Sequence, residues 1–150
     1  AWEHYALGRF YLRAGEKERA VAAIDRALAL QPQALWAHFY KGRCALQTGT
    51  YEDAVIAFSV CVSLSPKAAW PVYYRGQVYL EQSRLDRARD DFETAICLDP
   101  SLAAAVLGRG IVNYRQKHQA AALADLHRVL ELEPTHEQAH RLLAQLKEQP

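Results

Sequence analysis

The sequence has no methionine, a single asparagine (Asn113), three cysteines and no long apolar run. With no methionine even at residue 1, its 150 residues read as a segment of a longer protein, and any targeting signal is expected outside them. Apolar stretches such as Leu102 to Leu107 are far too short for a bilayer, which needs about 20 consecutive apolar residues. Cys44, Cys61 and Cys97 are odd in number and lack CxxC spacing. They read as small packing residues of a reduced, cytoplasmic protein rather than as metal or redox centres. Charge of one sign is also missing: 18 Lys and Arg against 17 Asp and Glu leave a formal net charge of +1. Nothing in that balance calls for nucleic acid or an anionic membrane.

The sequence also lacks a glycine-rich phosphate loop, HRD and DFG motifs, and any nucleophile with a base and an orienting partner. No catalytic residue, no cofactor and no metal are therefore expected. His136 and His140 lie four apart with Glu133 near, but without a third ordered ligand they read as a solvated helix face.

What is present is a period. Leu-x-Pro recurs at Leu30-Pro32, Leu64-Pro66, Leu98-Pro100 and Leu132-Pro134, always 34 residues on. Gly8, Gly42, Gly76 and Gly110 keep that interval, as do Ala20, Ala54, Ala88 and Ala122, and the bulky set Ile24, Phe58, Phe92 and Leu126. Each proline lacks an N–H and disfavours helix at the residue before it, so it ends the second helix of a unit. The glycines fall inside the first helix, where each costs about 1 kcal/mol relative to alanine. A cost repeated four times needs a packing reason, and the recurring alanine is the expected counterpart. Turn signals between the two helices are Ala14-Gly15-Glu16, Thr48-Gly49-Thr50, Gln82-Ser83 and Gln116-Lys117, with glycine only in the first two.

The phases of Leu7, Gly8, Tyr11, Ala20, Ile24, Ala27 and Pro32 resemble the tetratricopeptide repeat signature over residues 1–136. The resemblance implies an all-α fold: an α-solenoid of four helix-turn-helix repeats (1–34, 35–68, 69–102, 103–136) with a capping helix (137–150), forming one domain. The family's first-helix tryptophan is replaced by His4, His38, Val72 and Val106, and repeat 4 departs most, with Asn113 where repeats 1 and 3 have Tyr11 and Tyr79. In the last segment Ala139, Leu142, Leu143 and Leu146 share one helical stripe, away from Glu137, Arg141, Gln145 and Glu148, and Thr135 is placed to cap it. The phrases around AHFYKG and YYRGQVY also resemble tetratricopeptide segments of large bacterial, planctomycete-like serine/threonine kinases.

The resemblance further implies that ligands meet a concave groove lined by the first helices at the phases of residues 2, 5, 9, 12 and 13. The candidate peptide-binding residues are Trp2, Tyr5, Arg9, Trp36, Phe39, Arg43, Trp70, Tyr73, Gln77 and Arg115. Tryptophan at one phase beside arginine suits an extended peptide with aromatic and acidic residues. The same tryptophans are equally suited to packing between repeats. The family's carboxylate clamp for chaperone tails is absent, because its lysine and asparagine places hold Tyr5, Arg9, Tyr40, Trp70 and Tyr74; an asparagine ladder is absent too.

Arg75 with Asp91, and Arg109 with Asp125, stand 16 residues apart in one phase and predict an ion pair between the two helices of a repeat. The leading functional expectation is a protein-binding scaffold, not an enzyme. Its partner is a peptide or protein, with no nucleic acid and no membrane. The alternatives are a homo-oligomer stacked through the uncapped first repeat, Trp2 included, and nucleic-acid binding by helical repeats.

Overall fold

Helix formers spaced three or four apart dominate the chain, and the computed structural model is helical throughout. It describes residues 2–148, without the side chains of Trp2 and Tyr5. Those residues hold nine α-helices and no strand. They fall into two compact units, Ala1–Lys67 and Ala68–Pro150, each described here by itself.

The first unit contains α1 (Trp2–Arg13), α2 (Lys17–Leu30), α3 (Leu35–Thr48) and α4 (Tyr51–Leu64). The second contains α5 (Ala69–Glu81), α6 (Leu85–Leu98), α7 (Ala103–Arg115), α8 (Gln119–Leu132) and α9 (Glu137–Glu148). Each odd helix from α1 to α7 packs most closely on the even helix that follows it. The even helices bury four positions apiece: Ala20, Ala23, Ile24 and Ala27; Ala54, Ala57, Phe58 and Cys61; Ala88, Asp91, Phe92 and Ala95; Ala122, Asp125, Leu126 and Val129. This spacing makes one stripe along a 3.6-residue helix. Each even helix ends at the leucine two residues before its proline, as expected.

The glycines sit where the two helices of a pair come closest, but the expected counterpart needs correction. A Cβ on Gly8 would lie 2.8 Å from Ile24 Cγ1, and one on Gly42 2.8 Å from the Phe58 ring. At Gly76 it would meet Phe92 at 3.0 Å. The bulky second-helix side chain, not the alanine, fills the space; the Ala20 carbonyl oxygen is farther, at 3.6 Å. Gly108, outside the period, serves the next interface: its Cβ would fall 2.6 Å from Phe92, so α7 lies against the same ring.

All four turns inside the pairs use one device. Gly15, Gly49, Ser83 and Lys117 take φ of 78°, 75°, 56° and 62°. The following N–H then bonds back five residues, Glu16 to Tyr11 O (2.9 Å) and Arg84 to Tyr79 O (2.8 Å) among them. This left-handed closure satisfies the helix's last carbonyls.

Helix α9 buries Ala139, Leu143 and Leu146 against α8, while Glu137, Arg141, Gln145 and Glu148 face solvent, as the stripe predicts. Its start differs from expectation. His136, not Thr135, accepts the capping bond, from the Ala139 N–H to Nδ1 at 3.3 Å. His140 Nε2 lies 2.8 Å from Pro134 O, as His38 Nε2 lies 2.8 Å from Pro32 O. By phase and by contact, α9 stands where a further first helix would stand.

Candidate functional site

In the first unit the candidate residues on α3 form one cluster. Trp36 is 49% exposed and meets Phe39 edge-on at 5.9 Å between centroids. Phe39 itself is only 7% exposed and packs on Tyr40 (5.2 Å) and Phe58 (6.1 Å). The Arg43 guanidinium stands 5.9 Å from the Phe39 ring centroid, a cation–π distance. Phe39 is thus a buried anchor that holds Trp36 and Arg43 in place. Arg9, on α1, is half-buried and Arg13 is exposed. Trp2 and Tyr5 lie outside the described residues as far as their side chains go.

In the second unit Trp70, Tyr73 and Gln77 are all half-buried on α5. Gln77 Nε2 donates to the Tyr73 hydroxyl at 2.6 Å, and the ring meets Tyr74 at 5.1 Å. Burial, then neighbouring Tyr74, pushes the Tyr73 hydroxyl's pKa up, so it stays a neutral donor. Arg115 is exposed on α7 and reaches back to donate to the Leu80 carbonyl at 3.3 Å. It lines a cleft of about 370 Å³ with Tyr114, Lys117, Gln119 and Leu146.

The two predicted ion pairs form. Arg75 holds Asp91 through Nε and Nη2, both at 2.8 Å. Arg109 Nη2 holds Asp125 at 2.6 Å. These are forked, charge-assisted bonds, and they hold both guanidinium pKa values above the ordinary arginine value. Sequence reasoning missed the third member: Asn113 Nδ2 donates to Asp125 at 2.9 Å from a buried position. The residue that makes repeat 4 depart from the signature therefore completes a polar lock. Also missed were Lys41, which pairs with Asp25 of α2 at 2.8 Å, and Arg84 and Arg87, which flank the Tyr79 ring at 5.2 and 5.8 Å. The pairing of Lys41 was detectable, since it occupies the phase of Arg75 and Arg109.

Burial pushes the Cys44 thiol up and the Cys61 thiol up to about 12. Cys61 donates weakly to the Leu35 carbonyl at 3.6 Å. Cys97, expected at a packing position, is instead exposed. Among the described residues no group of three or more His, Cys, Asp or Glu is placed to hold a metal ion, and no helix is long and apolar enough to cross a membrane.

No curated protein sequence matches the chain significantly. Among solved structures it is similar to MamA (19% identity, TM-score 0.86, covering 97% of this chain and 79% of that one). A MamA from Desulfovibrio magneticus, residues 41 to the end, matches at 26% identity and TM-score 0.82, over 89% and 76% of the two chains. The second TPR domain of human RPAP3, in complex with an HSP70 peptide, matches at 27% identity and TM-score 0.71, over 75% and 93%. The family model described as tetratricopeptide repeat matches residues 5–69 and 73–137. With nine helices paired as above and most of its length inside that model, the chain belongs to the tetratricopeptide repeat family.

Proposed function

We propose that the chain is a protein-interaction scaffold whose first helices hold a peptide segment of a partner. The observation that carries the reading is Trp36: a tryptophan half exposed beside Arg43, both held by the buried Phe39. A large rigid aromatic with an arginine is the usual composition of a binding hot spot. The RPAP3 domain of the same fold carries a peptide ending in EEVD. Here the clamp's lysine and asparagine places hold aromatics and arginine, which favours a peptide with aromatic as well as acidic side chains. In the second unit Trp70, Tyr73, Gln77 and Arg115 are the proposed contacts, and in the first Trp2, Tyr5 and Arg9 join Trp36, Phe39 and Arg43.

We read the array as four repeats closed by α9 in one domain, working without catalysis in a bacterial cytoplasm. The likeness to kinase-linked tetratricopeptide segments fits a docking arm of a larger signalling protein. The test is a peptide array probed with wild type, Trp36→Ala and Arg43→Glu. Peptides rich in acidic and aromatic residues are expected to bind wild type. Arg43→Glu, with helicity unchanged, is expected to weaken them by about tenfold or more, the effect of reversing one interfacial charge. Equal capture by all three proteins overturns the residue assignment.

A further inference from the structure

We propose that the outer face of α1 is an interface between two copies of this chain, packed antiparallel with Phe10 of one protomer on Leu7 of its partner. The period exposes the anomaly. Phe10 shares its phase with Cys44, Val78 and Val112, which are 1%, 0% and 0% exposed, yet Phe10 is 63% exposed. A phase that is otherwise fully buried carries here the largest of its four side chains, in solvent.

The corresponding faces inside each unit show what such a face does. Helix α2 packs on α3, and Cys44 is buried in one cluster with Ala27 of α2. Helix α6 packs on α7, and a cleft of about 430 Å³ there is lined by Arg109, Asn113, Ala121, Ala124 and Asp125 together with Arg89 and Glu93 of α6. The same five phases in the first pair, Leu7, Tyr11, Arg19, Ala22 and Ala23, line a cleft of about 400 Å³ with His4 and Arg26.

The chemistry of the face selects its occupant. Lys41 meets Asp25 of α2, and Arg109 lies in the field of Glu93 of α6. Those first helices carry a cation in this phase to meet a second-helix carboxylate. Leu7, 44% exposed, replaces that cation in α1. A partner for Leu7 and Phe10 is therefore apolar, and α1 of a second copy is such a partner. Glu3, Leu7, Phe10 and Ala14 share one side of the helix, with Arg13 at its edge. An antiparallel two-fold pairing that sets Leu7 across from Phe10 also brings Glu3 of one protomer beside Arg13 of the other, twice over. Both charged residues are exposed. The face complements itself in both shape class and charge.

Sedimentation equilibrium of the chain over the micromolar range tests this. Wild type is expected to self-associate to a dimer. Phe10→Asp, at an exposed position, is expected to keep its helicity and weaken association about 30-fold or more, as loss of a hot-spot side chain does. Glu3→Arg and Arg13→Glu each set like charges together and are expected to weaken it about tenfold. The double variant restores opposite charges and is expected to return to within about threefold of wild type. A wild type that stays monomeric throughout, or a Phe10→Asp chain that dimerises as wild type does, overturns the interface. A double variant no tighter than its singles overturns the antiparallel register.

Discussion

Helix pairs α3–α4 and α7–α8 are built on one 34-residue template and are locked in opposite ways. In α3–α4 the three positions that face each other across the pair are Lys41, Ala45 and Ala57, and the pair is held by the Phe58 ring under Gly42 and by buried Cys44 and Cys61. In α7–α8 the same positions are Arg109, Asn113 and Asp125, joined by charge-assisted bonds. The smaller apolar residue Leu126 stands in place of Phe58, and its nearest approach to a Cβ on Gly110 is 3.9 Å. The difference teaches that the template fixes where helices meet but not what holds them. One pair is closed by a ring filling a gap, the other by satisfied polar groups over a looser apolar contact. The polar route demands that every member be present.

The largest effect is therefore expected from removing one member of the polar lock. Asp125→Ala leaves Arg109 and Asn113 without their shared acceptor. Breaking a buried pair from one side costs about 3–5 kcal/mol, and with the Arg109 side chain 30% exposed the lower end applies. The triple change Arg109→Leu, Asn113→Ala and Asp125→Ala removes all three polar groups and copies the apolar solution at Leu7 and Ala23. It is expected to recover most of that loss, to within about 1 kcal/mol of wild type. Urea unfolding of the four proteins measures both steps. A triple variant as unstable as Asp125→Ala would show that the lock is net stabilising rather than merely costly to break.

A smaller effect separates the two glycines at the same phase. Alanine gains about 1 kcal/mol over glycine in a helix interior. At Gly42 the new methyl would lie 2.8 Å from two atoms of the Phe58 ring, and overpacking of this kind costs about 1–3 kcal/mol. Gly42→Ala is expected to destabilise by about 1 kcal/mol net. At Gly110 the nearest atom is Asp125 Cβ at 3.2 Å, a contact relieved by a few tenths of an ångström. Gly110→Ala is expected to be neutral or slightly stabilising. Thermal melts of the two variants decide it. Equal losses would mean that the glycines are kept for the backbone and not for the ring.

The period, the helix ends and the Arg–Asp pairs were legible because each rests on residues recurring or changing together at fixed spacing. Leu7 with Ala23 becomes Arg75 with Asp91, and the joint change announces the contact. Asn113 was illegible as a lock member, because its bond to Asp125 depends on rotamers across two helices and not on a repeated phase. The partner of the glycines was misjudged for a related reason: small-with-small is a pattern in sequence, while the space beside a missing Cβ goes to whichever side chain can reach it. Trp36 and Trp70 share a phase yet differ in exposure, since the shared phase fixes a direction from the helix and not what stands in front of it. Of the candidate site, then, the faces were readable and the exposure of each residue was not.

The smallest effect lies in the turns, where the units differ in residue but not in backbone. Gly15 and Gly49 take the left-handed conformation freely, while Ser83 and Lys117 take it with a Cβ. That conformation costs a residue with a side chain about 1–2 kcal/mol. Glycine gives back about 0.4–1 kcal/mol through the larger entropy of its unfolded chain. Ser83→Gly and Lys117→Gly are therefore each expected to stabilise by about 0.5 kcal/mol, and Gly15→Ala and Gly49→Ala to destabilise by a similar amount. No atom lies within 4 Å of a Cβ built on Gly15 or Gly49, so the alanine variants report backbone strain alone. Calorimetric melts resolve shifts of this size. If Ser83→Gly lowered the melting temperature while Gly15→Ala left it unchanged, the left-handed turn would be held by side-chain contacts, and the equivalence of the four turns would fail.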